Sequence, residues 1–358
     1  MTEYKTTPAP TKKRYEWIDN ARIVAALLII YVHIPVTFNH EGVANSITAV
    51  NFFEGSTLFG RVPFFLILAG YFLGRKITWH KSIDRAIWLF IPFLIWNIIA
   101  YVLHNYGSFG SLHFINYIRS IPYILGTTSF FSPHITLFDT LPSWPANGPT
   151  WFLRDIIILS LLTPILVRFK GLLLTAILII SSFIDFNPKF LGIVTLSPYT
   201  CFYYCLGVCL CNYKIDDAYY IFSKHFTVIY VLALIATSTI AVAMGSKGLK
   251  MLPLTIIGPL FGAMLIAYSG VLVEKHLPKL SKILAPCGPA CFLVFVLHQP
   301  VLDILALILP HGIRYTPLVW ILPIPVCAII MVLFLWMKRY TPYLMPYLGH
   351  MKMPKKPQ

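Results

Sequence analysis

Charge is what this chain has least of: 11% of its 358 residues are charged, where a soluble domain carries about 25%. Acidic groups are scarcer still, with 13 Asp and Glu against 28 Lys and Arg. Also missing is a small-residue cleavage pattern after the first apolar stretch, so that stretch reads as a retained span and not a cleaved signal peptide. No segment is left over for a soluble catalytic domain. No internal repeat of the kind that marks inverted-symmetry transporters shows in the sequence. His40, His104, His113, His134 and His311 fall in loops without metal-ligand spacing, so no metal is expected.

What is present is apolar sequence: 58% of residues are hydrophobic and 15% aromatic, with a mean hydropathy of +0.74. These values imply an all-α integral membrane protein. The formal net charge of +15 comes from short basic clusters between apolar runs, a pattern set by membrane topology and not by nucleic acid, which is not expected as a partner. Ten candidate spans follow from runs near the 20 residues needed to cross a bilayer: 17–38, 58–74, 84–103, 150–168, 171–186, 197–212, 226–244, 252–273, 288–309 and 317–337. Segment 104–149 is too polar and broken to span and reads as a capping loop or interfacial helix. The expected organisation is a polar tail over 1–16, a transmembrane domain over 17–337 and a basic tail over 338–358.

Placing the N-terminus in the cytoplasm leaves only Arg119, Lys189, Lys247, Lys250 and Arg314 on the outer side, with the other loop and tail Lys and Arg inside. That asymmetry puts both termini of the bundle in the cytoplasm.

Inside the first span, in the run WIDNARIVAALLIIYVH, Arg22 and His33 are eleven positions apart. At about 100° per residue they return to nearly one helix face, roughly 16 Å apart along the axis. An ionisable group in hydrocarbon costs on the order of 2.5–3.5 kcal/mol, so the expectation is that both face one lipid-shielded chamber. Asp19, three residues before Arg22, can neutralise it locally. His33 has no such neighbour in sequence; it can take a proton from a hydroxyl at neutral pH, or simply hydrogen-bond to a neighbour.

Further polar groups recur in the other spans: Arg61 in GRVPFFLILAGYFLG, Arg85 in KSIDRAIWLFIPFLIW, Arg154 and Asp155 in GPTWFLRDIIILSLLTPIL, and His298 in CFLVFVLHQP. Arg154 and Asp155 point about 100° apart, which assigns them to different neighbours. Cys201, Cys205 and Cys209, spaced by four, share a helix face, and without a histidine or carboxylate at ligand spacing they read as small packing residues.

In this order the motifs resemble the membrane acyltransferase-3 family, which includes bacterial O-acetyltransferases of surface polysaccharides. The likeness runs from WIDNARIVAALLIIYVH through RVPFFLILAGYFLG, RAIWLFIPFLIWNII and GPTWFLRDIIILSLLTPIL to FLVFVLHQPVL. WIDNAR is similar to the enterobacterial common antigen O-acetyltransferase branch. The resemblance implies transfer of an acyl group, most simply acetyl from cytoplasmic acetyl-CoA, to a hydroxyl of a surface glycan or lipid-linked sugar outside, by a multi-pass protein of the bacterial inner membrane in contact with its lipids. It implies that His33 is the catalytic histidine and Arg22 its required partner.

The family often carries two arginines three apart at the start of the third span. This chain has Arg85 but Trp88 at the second place. Arg75, Lys76, Lys81 and Arg85 form a basic cluster suited to the phosphates of CoA, or simply to setting topology. His298 falls where the family has an aromatic-x-x-histidine motif, with Phe295 in place of the usual tyrosine. Arg61 matches a polar position of the second span, and Trp151 can stack on a sugar ring or sit at the interface. Asp19, Arg61, Arg85, Trp151, Arg154, Asp155 and His298 are thus the candidate substrate-binding residues. The rival reading from another class is a transporter or exporter that uses buried Arg, His and Asp as a substrate or proton path.

Overall fold

The first helix organises the molecule, and its sequence explains why. In the computed structural model, which describes residues 14–38, 60–75, 77–104, 147–183, 198–224, 252–314 and 316–349 with positions 232 and 236, α1 spans Glu16–Phe38. Glu16 and Asp19 lie in its first turn, where carboxylates oppose the positive end of the helix dipole. One flank of α1 buries Ile30 and Ile34 and another buries Trp17, Ala21 and Ala25. The helix is therefore covered from two sides.

Among the described residues, besides the single turn His311–Arg314, nine further α-helices follow: α2 (Arg61–Gly74), α3 (Trp79–His104), α4 (Trp151–Phe183), α5 (Pro198–Leu210), α6 (Ile215–Lys224), α7 (Leu252–His276), α8 (Pro278–Leu284), α9 (Cys291–Ile308) and α10 (Pro323–Tyr340). No strand occurs among the described residues. Helix α1 packs against α7 on one side and α9 on the other, α2 bridges α5 and α7, α4 bridges α3 and α5, and α10 covers α9. Glycines set the closest approach. A Cβ on Gly70 would overlap the Tyr204 carbonyl, and one on Gly207 would overlap that of Ile67, so α2 and α5 cross backbone to backbone.

Among the described residues five helices are long and apolar enough to cross a membrane, within Glu16–Ile34, Trp79–Val102, Gly148–Ile177, Pro278–Ile308 and Leu318–Tyr340, and two shorter apolar ones lie at Arg61–Gly74 and Thr200–Leu210. Ile324, Ile329, Val332 and Trp336 of α10 are exposed, an apolar flank that suits lipid and not water. Nearly all of the expected span 226–244 and of segment 104–149 lies outside the described residues. The expected spans 150–168 and 171–186 fall, as far as Phe183, on two helical segments of α4 that meet at a kink at Phe169, where the backbone (φ −114°, ψ 19°) is not helical. The charged residues that suggested a loop there, Arg168 and Lys170, flank the kink.

Prolines inside the helices free carbonyls, and the neighbours that take them up fix the packing. Pro300 in α9 has no N–H to give the carbonyl four residues back. That carbonyl, Val296 O, accepts a 2.9 Å bond from Asn147 Nδ2. Asn147 is itself held by Asn97, whose Oδ1 accepts its backbone N–H at 2.8 Å, and Asn97 Nδ2 donates to Thr150 Oγ1 at 2.9 Å. Pro164 in α4 does the same to Ser160 O, which accepts the hydroxyl of Ser82 from α3. Buried amides and hydroxyls thus replace the missing backbone donors, as interiors away from water require.

The N-terminal end of α1 is fastened to α8 and the turn after it. Asn20 Nδ2 donates to Ser281 Oγ at 2.8 Å, and Ser281 Oγ donates to Glu16 Oε2 at 3.0 Å. Arg14 donates to the carbonyl of Ala285. Gly288 lies so near Asp19 that a Cβ there would overlap its carboxylate.

Candidate active site

His33 opens onto a cavity of about 760 Å³, bounded by Arg61 and Val62 at the start of α2, by Trp151 at the start of α4, and by Phe295 of α9. Volumes of this order hold small-molecule substrates. The Gly148–Thr150 turn that carries Trp151 into the wall is anchored by the Asn97–Asn147 network. Pro300, through its freed carbonyl, therefore positions this side of the site.

Behind His33 lies His298, with ring centroids 4.8 Å apart and planes tilted by 55°. His298 is fully buried. Its Nδ1 is 2.9 Å from Val294 O; a carbonyl only accepts, so Nδ1 carries the proton and donates it. The lone pair is thereby left on Nε2, which has no hydrogen-bond partner among the described residues. His33 sits between this fixed acceptor and the cavity.

Arg22 lines a second, smaller cavity of about 410 Å³, together with Arg85, Phe72, Phe152, Gly288 and Phe292. Its guanidinium carbon is 5.9 Å from the Phe72 ring centroid, within range of a cation–π contact. Arg85 Nε is buried without a hydrogen-bond partner among the described residues. Arg22 and His33 do not share one chamber, as their common face suggested; they line two cavities. Phe295 lines both and stands as the partition between them. The offset of eleven residues, roughly 16 Å, is long enough for an aromatic ring to fill the gap.

Asp19 is paired chiefly outside the span. Its Oδ2 takes a 2.7 Å ion pair from Arg14 Nε, and its Oδ1 lies 3.4 Å from Arg22 Nη1. The carboxylate holds the base of Arg22 and does not line either cavity. Arg154 and Asp155 are each other's partners, with Nη2 to Oδ1 at 3.2 Å and side-chain exposures of 9% and 1%. This corrects the expectation of separate neighbours. The long arginine side chain curls back over the one-residue step, because a carboxylate in an apolar interior is costly without an adjacent charge. Neither residue lines either of these two cavities.

Of the basic cluster, Arg75 is committed to the fold, donating to Cys211 O at 2.9 Å and Tyr213 O at 3.2 Å. Lys76 lies outside the described residues. Cys205 packs with Leu73, Tyr204 and Val208. The sequence reading missed Thr37, Gln299 and Asp303, which line the larger cavity. Thr37 is one turn beyond His33, and Gln299 and Asp303 follow His298. Helical spacing from His33 is a signal for Thr37 alone; Gln299 and Asp303, one and five residues past His298, do not share its face in sequence.

The chain matches no curated protein and no solved structure. A family model described as an acyltransferase domain (Acyl_transf_3) matches residues 15–338, which takes in both cavities except Gly349 and every helix from α1 to α10, the last as far as Lys338. That match covers most of the sequence, and the chain therefore belongs to the membrane acyltransferase-3 family.

Proposed function

We propose that this protein is an O-acetyltransferase of a bacterial inner membrane. It crosses the membrane about ten times with both termini in the cytoplasm, and moves acetyl from cytoplasmic acetyl-CoA to a hydroxyl of a surface polysaccharide or its lipid-linked precursor. The observation that carries this reading is the placement of Arg22 and His33 on one helix but in two cavities divided by Phe295. Such a pair of chambers suits a donor arriving from one side and an acceptor from the other.

The smaller cavity is the donor side. Arg22 and Arg85 present guanidinium forks to the anionic and carbonyl oxygens of the thioester's carrier, and its aromatic wall accepts the apolar stretch. Arg22 is too far along α1 to touch a carbonyl at His33, so its part is to hold the donor. In the larger cavity the acceptor O–H gives its proton to His33 as its oxygen bonds to the acetyl carbonyl carbon. The C–S bond breaks, and the proton passes from His33 to the departing sulfur. Arg61, on the wall of the same cavity, is the cation placed to oppose the negative charge that develops on the carbonyl oxygen. The Nε2 lone pair of His298 is the acceptor toward which His33 turns its N–H when substrate binds, leaving the other His33 nitrogen toward the cavity.

The test is transfer of label by the purified full chain from acetyl-CoA, labelled in the acetyl group, to cell-envelope glycan. Label in the glycan supports the reading. A solute moved across the membrane with all label still on CoA would replace it with a transporter.

A further inference from the structure

Beyond α10 the chain folds back and reaches the smaller cavity. Thr341 leaves helical backbone (φ −131°, ψ 51°), and a tight turn over Pro342–Leu344 follows, because Pro342 has no N–H to continue the helical ladder. Further turns carry the chain on to Gly349, with Leu348 N–H donating to Leu344 O at 3.2 Å and Gly349 N–H to Pro346 O at 3.4 Å. Gly349 is the tip. It lines the smaller cavity beside Arg22, Gly288 and Phe292, its φ is +105°, and a Cβ there would overlap the Phe292 ring. Backbone conformation and close approach both select glycine.

We propose that Pro342–Gly349 is a strap that forms the closing wall of the smaller cavity and lifts about Thr341 to admit a CoA-type thioester. The inference rests on the donor side of the acyltransfer reading and adds the segment that admits and retains the donor. Among the described residues every hydrogen bond of 342–349 runs within the segment or to Thr341. Apolar contact alone therefore holds the strap to the bundle, through Met345, buried in the core cluster of α9 and α10, and Leu348, packed against it. On the other side Tyr343, Leu344 and Tyr347 are exposed, so no described residue covers them. The gap beneath, between Leu348 and Phe292, is about 10 Å³, room for about one water. The segment is thus closely seated, weakly tethered and uncovered, the properties of an element that opens locally. Its place on the rim fits donor entry. Gly288, on the same rim, stands against Asp19 in the first turn of α1, the end that the reading places at the cytoplasm. The cavity of about 410 Å³ is near the low end of the roughly 300–1,000 Å³ that holds a drug-sized ligand. A thioester that carries a nucleotide outgrows it, so the donor crosses the rim that Gly349 occupies.

Cys291 lines the same cavity and is buried, which makes its thiol a probe of the strap in the full chain in lipid nanodiscs. Alkylation by N-ethylmaleimide, followed at each cysteine by peptide mass spectrometry, is expected to be about ten-fold faster at Cys291 in Gly349→Ala than in the wild type, the shift that the lower end of an overpacking penalty gives. Leu348→Ala loosens the strap without altering its backbone and should act in the same direction. Cys205, buried with Leu73 and Val208 away from the strap, should keep its rate in both variants. CoA is expected to slow alkylation of Cys291 in the wild type, and KM for acetyl-CoA should rise about ten-fold in Gly349→Ala with the acceptor KM unmoved. Equal Cys291 rates in the wild type and the folded variants, or a parallel rise at Cys205, overturns the strap. The two readings fail separately. Cys291 unmasked by both variants, with no protection by CoA and no transfer, removes the donor reading and leaves the strap as the cavity's wall. Transfer with the Cys291 rate and the acetyl-CoA KM unmoved by either variant does the reverse.

Discussion

The rings of His33 and His298 lie 4.8 Å apart, on two helices packed side by side. The Nδ1 of His298 is committed to Val294 O, and its other nitrogen has no hydrogen-bond partner among the described residues. The second histidine is therefore a fixed acceptor against which the first can be oriented, since the bond made by one imidazole nitrogen decides the state of the other.

His298→Ala is expected to lower kcat by about 10²-fold, the lower end of what a positioned acid–base group contributes, with KM for acetyl-CoA little changed. His298→Gln, which can still offer a buried oxygen acceptor, should recover part of that loss. Steady-state kinetics of both variants checks the split, and a loss confined to KM would assign His298 to binding.

Phe295 is the only one of the residues named here to touch both cavities. Truncating it to Ala joins them, and acceptor-independent hydrolysis of acetyl-CoA should rise while transfer to glycan falls. Thiol release measured with and without acceptor gives the ratio directly. An unchanged ratio would mean that the ring does not divide donor from acceptor.

Arg85 and Arg22 should separate from His33 in kinetics. Arg85→Ala is expected to raise KM for acetyl-CoA by about 10-fold or more, the scale of one hydrogen bond to a charged group, with a smaller effect on kcat. Arg22→Lys keeps the charge but loses the planar fork, so a marked loss of activity is expected. Full activity in that variant would mean that charge alone suffices.

The proline device can be read by a double-mutant cycle. Asn147→Ala strips Val296 O of the side chain that satisfies it, at about 1–3 kcal/mol. In Pro300→Ala the restored backbone N–H can reach the same carbonyl. The double variant should therefore unfold at a higher temperature than Asn147→Ala alone, measured in detergent. Additive losses would show that the two residues are not coupled.

The bundle was largely legible in the sequence, because hydropathy in a membrane chain reports backbone satisfaction directly. Limits such as 61–74 for α2 and 291–308 for α9 fall within a few residues of the apolar runs. Helical periodicity also placed Arg22 and His33 on one face of α1. It could not place Phe295 between them, since that depends on how α9 docks. The pairing of Arg154 with Asp155 was missed because angular spacing ignores the reach of a long side chain. Arg14 was read as part of a polar region near the chain start, yet it is the closer partner of Asp19, across the first turn of α1, where Tyr15 O accepts the N–H groups of Ile18 and Asp19. Thr37, Gln299 and Asp303 carry no signature of their own and become visible only as neighbours of the two histidines in space.

The most direct measurement of the central claim encloses labelled acetyl-CoA and glycan acceptor on opposite sides of a proteoliposome membrane and follows acetyl across it in wild type and His33→Ala. Label on the far-side glycan with the wild type, abolished in the folded His33→Ala protein, is the expected result. Normal transfer by His33→Ala, or transfer only when both substrates share one side, would contradict an active site built on α1 between two cavities.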